Sequence, residues 1–194
     1  GRVNMKKILL VLILLLTFTL IDYCNPDIVV GNSATDRGSN AGFSNWTIVD
    51  ACTSADGTGK ITTVEVWVYS AGAGCKVAIF YRPDSSGAPN NLTARDSEIV
   101  QIDGEESGVI PSGSKQTFTV DLDVVEGDFI GIYGTSGSIE MEAEASDGYW
   151  YEAGDQTSCI NVEFAETTGK ILSLRGIGAT EEEEANAVWF GTNF

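Results

Sequence analysis

Two kinds of side chain in this sequence are spaced for chemistry: aromatic rings and carboxylates. Tyr149, Trp150 and Tyr151 are consecutive. On a strand successive side chains alternate, so Tyr149 and Tyr151 would share one face and Trp150 would take the other. Ring faces stack on the apolar faces of pyranose sugars, which makes Tyr149, Trp150 and Tyr151 the expected ligand-binding set. The plainer expectation is that Trp150 fills a core while the tyrosines cap a sheet rim. Asp121, Asp123, Glu126 and Asp128 crowd a single turn. Calcium takes about six to eight oxygens from carboxylates, carbonyls and water, so this turn is the expected calcium site. Its spacing is not that of an EF-hand, and a solvated polar edge would look the same.

Glu140, Glu142 and Glu144 alternate along one stretch. Strand geometry spaces them at about 6–7 Å on one face. That overlaps the ~5–9.5 Å between the paired carboxyls of glycosidases. Any alternating strand would give the same spacing, so a fully acidic outer face that discourages edge pairing is the physical reading. A carboxylate-based glycosidase stands third among the functions considered. The sequence contains no histidine. That removes Ser-His-Asp and Cys-His catalysis, the usual zinc sites and the commonest general base.

The elements that must position these residues are strands. Val64, Val66 and Val68 share one parity, and Glu65, Trp67 and Tyr69 the other. Cys75, Val77, Ile79 and Tyr81 alternate with Lys76, Ala78 and Phe80. The two runs flank Ser70-Ala71-Gly72-Ala73-Gly74, which predicts a hairpin over Lys60 to Arg82. Further strands are expected over Asp27–Val30, Trp46–Val49, Ala94–Ile102, Gln116–Val124, Phe129–Tyr133, Ile139–Ala145, Tyr149–Tyr151, Ile160–Phe164 and Ile171–Leu174. Gly, Asn, Asp and Ser clusters separate them, and Glu126-Gly127-Asp128 is a tight turn. No stretch carries a helical period. The expected fold is all-β: an antiparallel two-sheet β-sandwich, jelly-roll-like, of about ten strands.

Met5-Lys6-Lys7 precedes an apolar run of 14 residues from Ile8 to Ile21. This is the layout of a secretory signal, and it is shorter than the ~20 residues of a spanning helix. Residues 1–24 are therefore expected to be a signal peptide or N-terminal membrane segment, with lipidation at Cys24 disfavoured by Asp22 and Tyr23. Residues 25–178 are the expected β-sandwich domain. Residues 179–194 are an acidic linker with an apolar tail. Four cysteines fit an oxidising compartment. Of the three pairings they allow, Cys75–Cys159 is the one expected, with Cys52 and Cys24 left for each other; free thiols are the alternative.

With 28 acidic against 11 basic residues the net charge is −17. A phosphate backbone would be repelled, so no nucleic-acid partner is expected. Calcium, basic partners or simple solubility all suit such a surface. Gly59-Lys60-Ile61-Thr62-Thr63-Val64-Glu65-Val66-Trp67 and Glu126-Gly127-Asp128-Phe129-Ile130-Gly131-Ile132-Tyr133 resemble uncharacterised secreted or phage-associated bacterial β-sandwich domains. The resemblance covers Asp27 to Gly178 and implies a fold and an extracellular or particle-surface setting. It implies no catalytic residues. The function expected is a secreted, non-catalytic module for adhesion or glycan binding. A self-associating structural subunit of a filament, sheath or virion is the alternative. The partners are then a glycan or a surface protein, and a membrane is met only through the N-terminal segment if it is not cleaved.

Overall fold

In a computed structural model the chain is described over residues 27–84, 90–101, 108–143 and 148–180. The basic-apolar leader, Cys24, Glu144 and the tail from Glu181 lie outside the described residues. The strands in chain order are β1 Asp27–Gly31, β2 Ser39–Gly42, β3 Trp46–Asp50, β4 Gly59–Ala73, β5 Lys76–Tyr81, β6 Asn91–Ile99, β7 Lys115–Val124, β8 Phe129–Gly134, β9 Ser136–Glu142, β10 Gly148–Ala153, β11 Val162–Glu163, β12 Ala165–Thr168, β13 Ile171–Leu172 and β14 Leu174–Thr180. No helix forms among the described residues, and every ladder between these strands is antiparallel.

Two seven-stranded sheets result. The first runs β1-β14-β4-β9-β13, with β7 on β4 and β2 on β9. The second runs β11-β6-β5-β8-β3-β10-β12. They are strongly curled, one as half a barrel and the other closing nearly all the way. That curl departs from the flat pair of layers expected of a plain sandwich.

The expected hairpin over Lys60 to Arg82 does not form. β4 pairs with β7, β14 and β9, whereas β5 pairs with β6 and β8, so the chain changes sheets between them. The Gly-rich link is a corner. Gly74 sits at φ 57°, and a Cβ on Gly72 would lie 2.6 Å from Cys75 Sγ, so neither position tolerates a side chain at this bend. The turn at Glu126-Gly127-Asp128 forms as expected, closed by Asp128 N–H donating to Val125 O at 2.9 Å. It too carries the chain from one sheet to the other.

Alternation explains the core. Phe118, Val120, Leu122 and Val124 of β7 are buried, with exposed Thr117, Thr119, Asp121 and Asp123 between them. They join Val64, Val66 and Val68 of β4 and Val77, Ile79, Ile130 and Ile132 of the second sheet in the main apolar cluster. The second sheet also buries its other face. Val49, Ala78, Phe80, Leu92 and Trp150 pack there under Cys159, from the β10–β11 segment, and Phe164, between β11 and β12.

That second layer overturns the expected Cys75–Cys159 disulfide. Both are free thiols. Cys75 belongs to the main cluster and Cys159 to the outer one, with the second sheet between. The acidic face expected on β9 is also corrected. Glu140 is buried, because β9 receives β2 on one edge, β13 on the other, and the 32–38 segment over its face. Arg37 is what the carboxylates meet: its backbone N–H donates to Glu140 Oε2 at 3.1 Å, Nη1 to Glu142 Oε2 at 3.0 Å and Nε to Ser173 Oγ at 2.8 Å.

Candidate functional site

β3 and β10 lie side by side, with Tyr149 opposite Asp50, Tyr151 opposite Ile48 and Ala153 opposite Trp46. Directly opposed residues on an antiparallel ladder point to the same face. Trp46, Ile48 and Asp50 therefore share a face with Tyr149 and Tyr151. This face is the inner one, and at its margin it does not meet the first sheet completely. A cleft of about 200 Å³ remains, lined by Trp46, Ile48, Tyr149 and Tyr151, with Gly42 of β2 as its wall from the first sheet. Gly42 contributes no side chain, so the cleft is not filled from that side.

The rings are in mutual contact. Trp46 and Tyr151 have centroids 5.8 Å apart, and Tyr149 and Tyr151 6.0 Å. Trp46 keeps 40% of its surface exposed, which is high for so large an apolar ring on an inward-facing row. Trp150, expected in the binding set, is not in the cleft. Its parity turns it into the outer apolar layer, where it meets Phe129 edge-on at 4.8 Å and is 6% exposed. The sequence suggested two of the three rings. It missed Trp46, whose parity with Ile48 was readable but whose neighbour strand was not, since β3 and β10 are about a hundred residues apart.

Asp50 ends the inner row of β3. Its side chain is fully buried and accepts from Asn32 Nδ2 at 2.7 Å and from the backbone N–H groups of Cys52 at 3.0 Å and Thr53 at 3.2 Å. Burial lifts its carboxyl from the usual aspartate value to about 6, against those hydrogen bonds, which pull it down. Asn32 is held in turn by Thr53 Oγ1, which donates to Asn32 Oδ1 at 3.0 Å. The group ties the ends of β1 and β3 together beneath Tyr149.

At the acidic turn the aspartates meet basic side chains. Lys60 Nζ lies 3.1 Å from Asp121 Oδ1 and 2.5 Å from Asp123 Oδ1, and both contacts raise the lysine's pKa. Asp128 is buried and gripped by Arg95, whose Nη2 donates to Oδ1 at 3.0 Å and whose Nε donates to Oδ2. Glu126 is tied through its backbone N–H, which donates to Thr58 Oγ1 at 3.0 Å. Each aspartate thus has a basic partner, and no three acidic or thiol groups converge among the described residues.

Two larger grooves, of about 360 and 310 Å³, flank Arg95. Size does not make them the better site. The guanidinium that divides them is engaged by Asp128 and lies 4.7 Å from the Tyr81 ring centroid, so its charge and its face are both taken. Glu140 and Glu142 line neither groove nor the aromatic cleft. No protein-family model and no curated protein matches this chain, so the aromatic cleft carries the functional reading by its own chemistry.

Proposed function

We infer that this chain is a non-catalytic binding module of an extracellular or particle surface, which takes hold of a glycan through the cleft of Trp46, Tyr149 and Tyr151. The observation that carries this is the grouping of three aromatic rings around one small opening, with Trp46 left substantially exposed. A protein that needed Trp46 only for its core would cover it. Rings of this kind give a sugar an apolar face to lie against, and the phenol hydroxyls of Tyr149 and Tyr151 supply donors and acceptors at the rim. The setting follows from the signal-like leader and from the resemblance to surface β-sandwich domains. Strands that pass repeatedly from one sheet to the other support reading the fold as a curled variant of the jelly roll.

The test is a glycan array probed with the full chain, followed by titration of the retained sugar. Trp46→Ala and Tyr151→Ala are expected to weaken binding by about tenfold or more each, the loss typical of a central aromatic contact. Trp150→Phe is expected to leave binding intact while lowering thermal stability. Full retention by Trp46→Ala, or filaments of the purified chain under the electron microscope with no array signal, would overturn the reading.

A further inference from the structure

The rings around the cleft do not form a flat platform. Trp46 and Tyr151 are inclined to each other at 61°, and Tyr149 and Tyr151 at 56°. Inclined rings make a concave corner. Its ≈ 200 Å³ is less than the ~300–1,000 Å³ of clefts that hold drug-sized ligands. The faces of aromatic rings carry the negative part of their quadrupole, so inclined ring walls around one small space suit a positive guest lying against their faces.

The surroundings have the same sign. The chain carries −17, and no basic side chain lines the cleft among the described residues. The row that starts with Trp46 and Ile48 ends on the carboxylate of Asp50, directly across the ladder from Tyr149. Ile48 gives the floor an apolar surface suited to methyl groups. A primary ammonium would have to give up strong hydration, and no carboxylate lines the cleft among the described residues to receive it. A methylated cation has no such demand.

We propose that the cleft is a cage for a quaternary ammonium group of the trimethylammonium type, carried as a substituent on the glycan. This rests on the cleft being the glycan site. A glycan is the carrier in preference to a membrane, because anionic bilayer surfaces repel a chain of this charge.

Isothermal titration of the full chain with choline chloride tests this, with sodium chloride of equal ionic strength as the blank. The neutral isostere 3,3-dimethylbutan-1-ol separates charge from shape. Choline is expected to bind at least about tenfold more tightly than the isostere, as a desolvated cation–π contact requires. Tyr149→Phe combined with Tyr151→Phe should keep choline binding, since the rings remain. Trp46→Ala should abolish it, while Trp46→Phe restores most of it and guards against a folding defect. Equal affinity for the two probes, or no heat with choline, overturns the cage. Neutral monosaccharides divide the remaining outcomes. If they bind where choline does not, the cage falls and the glycan reading stands; if neither binds, both fall. Sedimentation of the chain with phosphatidylcholine vesicles would overturn the glycan-borne assignment, and its remaining in the supernatant while choline binds is expected.

Discussion

Asp50 shows what burial does to one carboxylate. Donors from Asn32, Cys52 and Thr53 surround it, and its carboxyl is still held at about 6. Desolvation therefore outweighs the hydrogen bonds. For an acid whose folded pKa lies above its unfolded one, the folded state binds the proton more tightly. The stability this contributes is fully present below about 3.8, the ordinary aspartate value, and is lost as pH rises through about 6. The shift corresponds to roughly 3 kcal/mol, at about 1.4 kcal/mol per unit. Asp50→Asn has no such titration. The melting temperature of the parent chain should therefore rise relative to Asp50→Asn between pH 7 and pH 4.5. A constant difference between the two melting curves across that range would mean that Asp50 titrates normally. Arg37 is the complementary case, a nearly buried guanidinium whose every branch has a partner: Ser173, Glu142 and the carbonyl of Ser33. Neither residue stood out in the sequence. An aspartate and an arginine in Gly/Asn/Ser-rich stretches look like solvated loop residues until the strands that cover them are known.

At the scale of elements, the outermost strands are guarded by side chains in place of a neighbour. The N–H groups of Asp121 and Asp123 point away from β4, and they donate to Glu98 Oε1 at 3.2 Å and Asp96 Oδ2 at 2.9 Å of β6. On the far side of the same sheet, Val29 N–H donates to Asp56 Oδ1 at 2.7 Å. An unpaired strand edge is a template for another chain, and these carboxylates occupy it. Replacing Asp96 and Glu98 together by alanine should expose the edge of β7. Light scattering is expected to show apparent mass growing with concentration in that variant more steeply than in the parent; identical behaviour would show that the caps do not protect the edge. Strands were the legible part of this chain. β3, β4, β5, β7, β8 and β10 all start within a residue or two of where alternation places them. Three were not legible for physical reasons. β2 is Ser-Asn-Ala-Gly, whose composition says loop; its backbone is extended because β9 offers it a ladder. β12, Ala-Glu-Thr-Thr, is likewise recruited by β10. β14 alternates glycine with other residues, so it has no apolar face of its own to announce it. Which strand pairs with which was hidden for a further reason: a Gly-rich link fits a hairpin and a sheet-to-sheet corner equally well until the close approach at Gly72 is seen.

The whole molecule is layered more deeply than a pair of sheets. The segment after β10 folds back over the second sheet and buries Cys159 and Phe164 there, while Cys75 lies on the opposite side of that sheet. Burial pushes the Cys75 thiol up to about 12 and raises Cys159 as well. The thiolate is the reactive form, so both should resist iodoacetamide at pH 8 in the native chain. Once the chain is unfolded without reductant, both should be recovered as separately alkylated peptides. A single linked peptide would restore the disulfide that their positions in strand-rich sequence suggested. The cleft belongs to this scale too. Its three rings come from two strands, its open wall from a third, and only the closed assembly brings them together.

β1 and β14 are neighbours, with Asp27 across from Ala179, Ile28 from Gly178 and so on along the ladder. The described chain therefore enters and leaves at one point of the surface. Tension drawn between those two ends would open that ladder a rung at a time, the weakest way to load hydrogen bonds. Tension that enters through one end and leaves through something held in the aromatic cleft crosses the packed body of the molecule instead. A module anchored by one end and gripping by its cleft is mechanically sound, whereas the same module strung in line between two anchors would unzip.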